Sequence, residues 1–202
     1  MIKKLQIKLI AVAMFSLFLV LLVIMVTINL LNYRSIVRAA DDTLFILSEN
    51  DGKFPGKGDM TFEKKDFEVK MMSPELPYES RYFSVLMTKE GDIVSVDMDK
   101  IAAIDVETAK EYAKEGLGKR ETKGFIGAYR YIRYEEENSV RIIFLDCFRD
   151  LSTFRNFLLM SCGMSLAGLL TVFFLIVLFS RRIVRPVSES YERQKRFVTR
   201  CV

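Results

Sequence analysis

Two uncharged stretches, residues 9–31 and 156–179, constrain this 202-residue chain more than any other feature. A helix rises about 1.5 Å per residue, so the second stretch reaches about 36 Å, enough to cross a hydrocarbon layer of about 30 Å. The first stretch is longer than the apolar region of a signal peptide and ends without a small-residue cleavage site, so it reads as an uncleaved anchor. The expectation is a membrane protein with two transmembrane helices, organised as a leader (1–8), a first span (9–31), an intervening domain (32–155), a second span (156–179) and a tail (180–202).

Charge placement orients that arrangement. The leader carries Lys3, Lys4 and Lys8 and no acid. The tail carries Arg181, Arg182, Arg185, Arg193, Lys195, Arg196 and Arg200 against Glu189 and Glu192. Removing these ten basic and two acidic residues from totals of 30 and 26 leaves 20 basic and 24 acidic residues, a surplus of acid. Basic flanks stay on the cytoplasmic side, so both termini are expected inside the cell membrane and residues 32–155 outside.

Several chemistries are excluded or disfavoured by composition. The chain has no histidine, which removes imidazole acid–base catalysis and histidine metal ligation from its own repertoire. Of three cysteines, Cys162 falls in the second span and Cys201 in the tail, leaving Cys147 without a partner in the intervening domain. The glycines of GKFPGKG lack the Lys-Ser/Thr that completes a phosphate loop. Neither a metal nor any other cofactor is expected in this chain, and no nucleic-acid partner.

Between the spans the pattern is that of a mixed α/β unit. Ile36, Ala40, Leu44 and Leu47 keep helical spacing, so the first span is expected to continue outward as a stalk. Residues 51–80 read as irregular, with one strand placed at Phe67–Met71. RYFSVLMT and DIVSVDM flank the turn KEGD as a hairpin. Asp105 stands as N-cap of a helix whose stripe is Val106, Ala109, Ala113 and Leu117, with Gly116 and Gly118 as its stop. GFIGAYRYIRY and SVRIIFLDCF follow as two strands, the first alternating Ile126, Ala128 and Ile132 against Phe125, Tyr129 and Tyr131. An antiparallel sheet from 81–98 and 124–148, with helices on one face, satisfies this order. A short link capped by Asp150 or Ser152 would then lead into the second span.

Candidate sites are few. Tyr129, Arg130, Tyr131 and Arg133 could line a pocket for an extracytoplasmic ligand, arginine meeting an anionic group and tyrosine forming a wall. A half-exposed strand explains the same residues. Glu135, Glu136 and Glu137 read as a solvated turn, because adjacent carboxylates alternate across a strand end. In the second span Ser161 and Ser165, and likewise Gly163 and Ala167, repeat at four residues and would let another helix approach closely. Beyond it, Val187, Tyr191 and Val198 repeat at helical steps after Pro186, a possible seam with a second copy. Membrane lipid and a second copy, or a longer relative, are the expected partners.

The tail SRRIVRPVSESYERQKRFVT resembles the lead-in to the dimerisation and phosphoacceptor helix of bacterial two-component sensor histidine kinases. SPELPYESRYFSV, GDIVSVDMDKIAAID and IIFLDC resemble the extracytoplasmic sensor of that family. The resemblance implies a PAS-like sensor domain that relays a stimulus to a dimeric cytoplasmic helix. After Thr199 the sequence reads Arg200, Cys201, Val202, where the family has its phosphoaccepting histidine and ATP-binding domain, so none of those catalytic residues carries over. ATP, magnesium and a response regulator are implied only for a full-length kinase, and no autokinase activity is expected of this chain. The competing expectation is a membrane-anchored protein that holds an envelope partner and has no signalling output.

Overall fold

Strand β5 (Ser139–Asp146) is apolar on both faces, with Val140, Ile142 and Phe144 alternating against Ile143 and Leu145, so it has to be covered from both sides. A computed structural model describes residues 2–55, 73, 75–136 and 138–199, with side chains between Ile7 and Phe179, Leu9 excepted. In it β5 pairs antiparallel with β1 (Tyr82–Thr88) and with β4 (Tyr129–Glu135). β2 (Ile93–Asp97) and β3 (Lys123–Ile126) complete a five-stranded antiparallel sheet in the order β2-β1-β5-β4-β3.

The helices are α1 (Ile2–Ser48), α2 (Leu76–Glu79), α3 (Val106–Gly118) and α4 (Phe148–Thr199). The chain divides into two units, Asn32–Phe154 and the remainder, Met1–Leu31 with Arg155–Val202.

In the first unit α3 covers one face of the sheet, where Phe83, Val85, Met87, Tyr131, Ile142 and Phe144 are buried with Ala109 and Ala113. The other face is covered by the end of α1, whose Ala40, Leu44 and Leu47 pack with Tyr82, Ile143, Leu145 and Cys147. The expectation of helices on one face is therefore corrected. The stalk residues read from their spacing are a second layer of the domain, as the two-sided pattern of β5 requires.

Local chemistry explains the boundaries. Asp105 caps α3 as expected, its Oδ1 accepting from the Thr108 N–H at 3.1 Å. The stripe differs from expectation. Val106 is exposed, and Gly116 is buried inside the last turn, against Ile142 and Ile126, rather than ending the helix. α1 stops where Asp51 and Gly52 turn left-handed (φ 53° and 80°) and the Gly52 N–H bonds back to the Leu47 carbonyl at 2.8 Å. A Cβ at Gly52 would also stand 3.2 Å from Ser84 Oγ.

The stretch GFIGAYRYIRY is two strands, not one. Gly127 has φ 58°, and the Gly127–Ala128 turn pairs Ile126 with Tyr129 and Phe125 with Arg130. That reversal overturns the expected alternation: Ile126 shares the α3 face with Tyr129 and Tyr131, while Phe125 and Ile132 pack on the α1 face. The proposed strand at Phe67–Met71 lies outside the described residues, as do Glu137 and Cys201.

The second unit contains the apolar parts of α1 and α4. Both helices are long and apolar enough to cross a membrane. Their surfaces are exposed and apolar at Phe15, Val23, Leu166 and Phe174 among others, and a half-buried stripe on each runs through Leu21, Met25 and Asn29 and through Ser161, Ser165 and Leu169.

Candidate functional site at the sheet and long-helix joint

The four residues read as a ligand wall sit on β4, and a strand sends successive side chains to opposite faces. Arg130 accordingly points to the α1 face and Tyr129, Tyr131 and Arg133 to the α3 face, so the four do not share one surface.

Each of them has a partner. Tyr129 packs edge-on against Phe83, with ring centroids 5.6 Å apart, and lies 5.5 Å from the Tyr112 ring. Its hydroxyl is pushed above the ordinary range by burial and secondarily by Asp146. Tyr131 is fully buried and donates to the Glu121 carbonyl at 3.2 Å. Arg133 donates through Nη1 to the carbonyls of Gly116, Leu117 and Lys119 at 3.1, 2.8 and 2.8 Å. These carbonyls close the C-terminal end of α3, which has no further helical turn to satisfy them.

Arg130 connects the sheet to α1. Its Nε donates to Asp41 Oδ1 at 2.7 Å and its Nη2 to Oδ2 at 3.0 Å, a two-pronged pair across 89 residues of sequence. The guanidinium also lies over Phe125, 4.9 Å from the ring centroid. Fork-to-fork geometry fixes orientation as well as distance, so the pair holds α1 against β4 in one rotational setting.

A second connection starts α4. Asp146, at the end of β5, accepts from Arg81 Nη2 at 3.0 Å through Oδ2 and from the Phe148 N–H at 2.8 Å through Oδ1. Its side chain is only 4% exposed although it carries a charge, and these two donors compensate the burial. Leu151 N–H then bonds the Cys147 carbonyl at 2.9 Å, so the helix begins directly after the strand. The expected link capped by Asp150 or Ser152 is absent; a carboxylate before the first helical residue takes the capping role.

Cys147 sits between the two connections, buried among Leu44, Leu47 and Leu145. Burial pushes its thiol from 9.0 to about 11, with nearby Asp150 and Asp146 adding to the rise. At neutral pH it is a small protonated core residue rather than a nucleophile. On the same face, burial raises the Tyr134 hydroxyl to about 12. Farther from the joint, Glu136 accepts from Arg141 Nε at 2.8 Å and from Ser139 Oγ at 3.0 Å, which holds its carboxyl below the usual range. Among the described residues no group of three acidic or cysteine side chains converges on a metal position.

The residues read as helix-packing positions separate in a similar way. Ser165 Oγ and Cys162 Sγ each lie 3.9 Å from Met25 Sδ, so this side of α4 faces the chain's own α1. Ser161 is half-buried beside them and donates to the Phe157 carbonyl. Gly163 and Ala167 are exposed, and a Cβ at Gly163 would have nothing within 4 Å. The side chains of Tyr191 and Val198 lie outside those described.

Asp41, Arg81 and Asp146 were not singled out from the sequence. The one available signal was Asp41 itself, a charge directly beside the apolar stripe Ala40, Leu44 and Leu47. Compared with known protein families, with curated proteins and with solved structures, the chain matches none. Its architecture is a mixed α/β domain flanked by two long apolar helices, which is generically that of a membrane-anchored sensor module.

Proposed function

We propose that the chain is the transmembrane input part of a two-component sensor histidine kinase. In this reading residues 32–155 form a PAS-like extracytoplasmic sensor, the apolar parts of α1 and α4 cross the cell membrane, and both termini are cytoplasmic. The observation that carries it is the double attachment of one sheet: Asp41–Arg130 holds α1, and Asp146 holds the start of α4. A change in the sheet then acts on two helices that both continue into apolar segments. A shift of sheet against helix changes the relative setting of the two spans, and through α4 the setting of the tail. Gly163 and Ala167, facing away from Met25, suit contact with a second copy in the membrane. The sequence resemblance of the tail to a kinase dimerisation helix supplies the output.

Two measurements test this. Reporter fusions at Asp99 and after Val202 should report outside and inside respectively, and a cytoplasmic signal from Asp99 would overturn the topology. Residues 1–199 joined to the catalytic part of a sensor kinase should give an output that Arg130→Asp alters and Asp41→Arg with Arg130→Asp restores. An output indifferent to both would favour a membrane-anchored interaction protein.

A further inference from the structure

The half-buried stripe of α1 contains one polar side chain whose bonding is incomplete. Asn29 donates through Nδ2 to the Met25 carbonyl at 2.8 Å, but its Oδ1 is fully buried and has no hydrogen-bond partner among the described residues. A buried amide oxygen without a donor is uncommon in proteins and is costly where water is scarce. Helix geometry points to a donor. Tyr33 of α1 lies against Phe154 of α4, ring centroids 5.7 Å apart, and eight residues back along α1 Met25 lies against residues farther along α4, so the two helices run in opposite directions. Met25 is opposite Cys162 and Ser165. One turn onward along α1 is Asn29, and one turn back along α4 is Ser161.

Ser161 has one hydroxyl hydrogen, now given to the Phe157 carbonyl four residues back. In an α-helix that carbonyl already accepts the Ser161 N–H, so the hydroxyl can leave without orphaning it. Rotated toward α1, the same hydrogen would satisfy Asn29. In the structure the hydroxyl is bonded inside α4, and the alternative acceptor is Asn29 Oδ1 across on α1.

We propose that Asn29 Oδ1 and the Ser161 hydroxyl form an exchangeable hydrogen bond that sets the register of α1 against α4 within their apolar segments. Asn29 is a positioning residue in this scheme, acting through the helix pair. The inference deepens the signal-input reading, which it needs only for the purpose of the device; the bond itself is testable whether or not the chain signals.

The test uses the full chain in lipid vesicles with Met25→Cys and Cys201→Ser, so that a thiol on α1 faces the native Cys162. The rate of oxidative bridging between positions 25 and 162, read by mass spectrometry of the bridged peptide, reports register. The structure has Met25 against Cys162 with the Ser161 hydroxyl bonded inside α4, so Asn29→Leu and Ser161→Ala, which hold the pair in that arrangement, should each speed bridging by about threefold, the size expected for one interhelical hydrogen bond in a membrane. The double variant should be no faster than either, and Ser161→Thr, which keeps the hydroxyl, should match the parent. Unchanged rates, or effects of the two variants that multiply, would overturn the proposal. An effect of Asn29→Leu alone would also overturn it, assigning the acceptor to a water or to a donor from a second copy.

Discussion

The two faces of the sheet are held by different forces. On the α3 face the contacts are broad and apolar: Phe83 stacks on Phe144 at 4.6 Å with planes 8° apart, and Tyr112, Tyr129 and Tyr131 surround them. Two arginines serve this side: Arg133 lies at the end of α3 and completes its carbonyls, and Arg81 pairs with Asp146 beside Tyr129. On the α1 face the apolar cluster is smaller and is bordered by the Asp41–Arg130 pair and the Arg141–Glu136 pair. Apolar burial is non-directional, whereas a forked ion pair has one good geometry and loses most of its value outside it. The α3 face is therefore suited to keeping the domain folded, and the α1 face to holding a helix in one defined setting.

The largest expected effect comes from breaking the α3 face. Phe144→Ala removes the ring at the centre of the aromatic group and should cost about 3–5 kcal/mol. Denaturant unfolding of the chain in detergent, followed by near-ultraviolet circular dichroism, measures it. A loss below about 1 kcal/mol would mean that the face is not the main source of stability. An intermediate effect is expected on the other side. Arg130→Met leaves Asp41 half-buried without its charge partner and should cost about 2 kcal/mol. Asp41→Leu combined with Arg130→Met should recover much of that, because it removes the stranded carboxylate. A double variant as unstable as the sum of the single changes would show that the two residues act separately.

How far the sequence could be read followed the same division. Features set by local chemistry were legible: the capped helix at Asp105, the hairpin around KEGD, the stalk stripe of Ala40, Leu44 and Leu47, and the two apolar runs. The covering of both sheet faces was implicit in the double alternation of β5 but required knowing that β5 is central. The turn at Gly127 was missed because Phe125 through Tyr131 alternates acceptably as one strand, and only a positive φ at glycine reveals the reversal. The roles of Arg130 and Arg133 were illegible for a different reason. Their partners, Asp41 and the end of α3, are 89 and 14–17 residues away, and strand parity sends the two side chains to opposite faces. The tail's resemblance to a kinase helix came from its motif alone, independently of the fold.

The smallest effect sharpens the comparison by titration. Cys147 lies on the α1 face near Arg130, and its thiol rises from the ordinary 9.0 to about 11, chiefly through burial. Because the folded value is above the unfolded one, the protonated thiol contributes stability below pH 9, and that contribution is lost as pH climbs from about 9 to about 11. At pH 10 the unfolded chain would hold this group mostly as thiolate and the folded chain mostly as thiol, a difference of roughly 1 kcal/mol. Tyr134 on the same face, raised to about 12, extends the loss to higher pH, while Tyr129 on the α3 face is also raised by burial. Replacing Cys147 by alanine should therefore flatten the stability curve from about pH 9 upward, and Tyr134→Phe should flatten its upper end. Alkylation provides an independent check: at pH 8 Cys147 in the folded chain should resist a thiol reagent that modifies it once the domain is unfolded. Fast modification of the folded chain at that pH would show that the α1 face opens readily without loss of the α3 face, and would make it the mobile side of the domain.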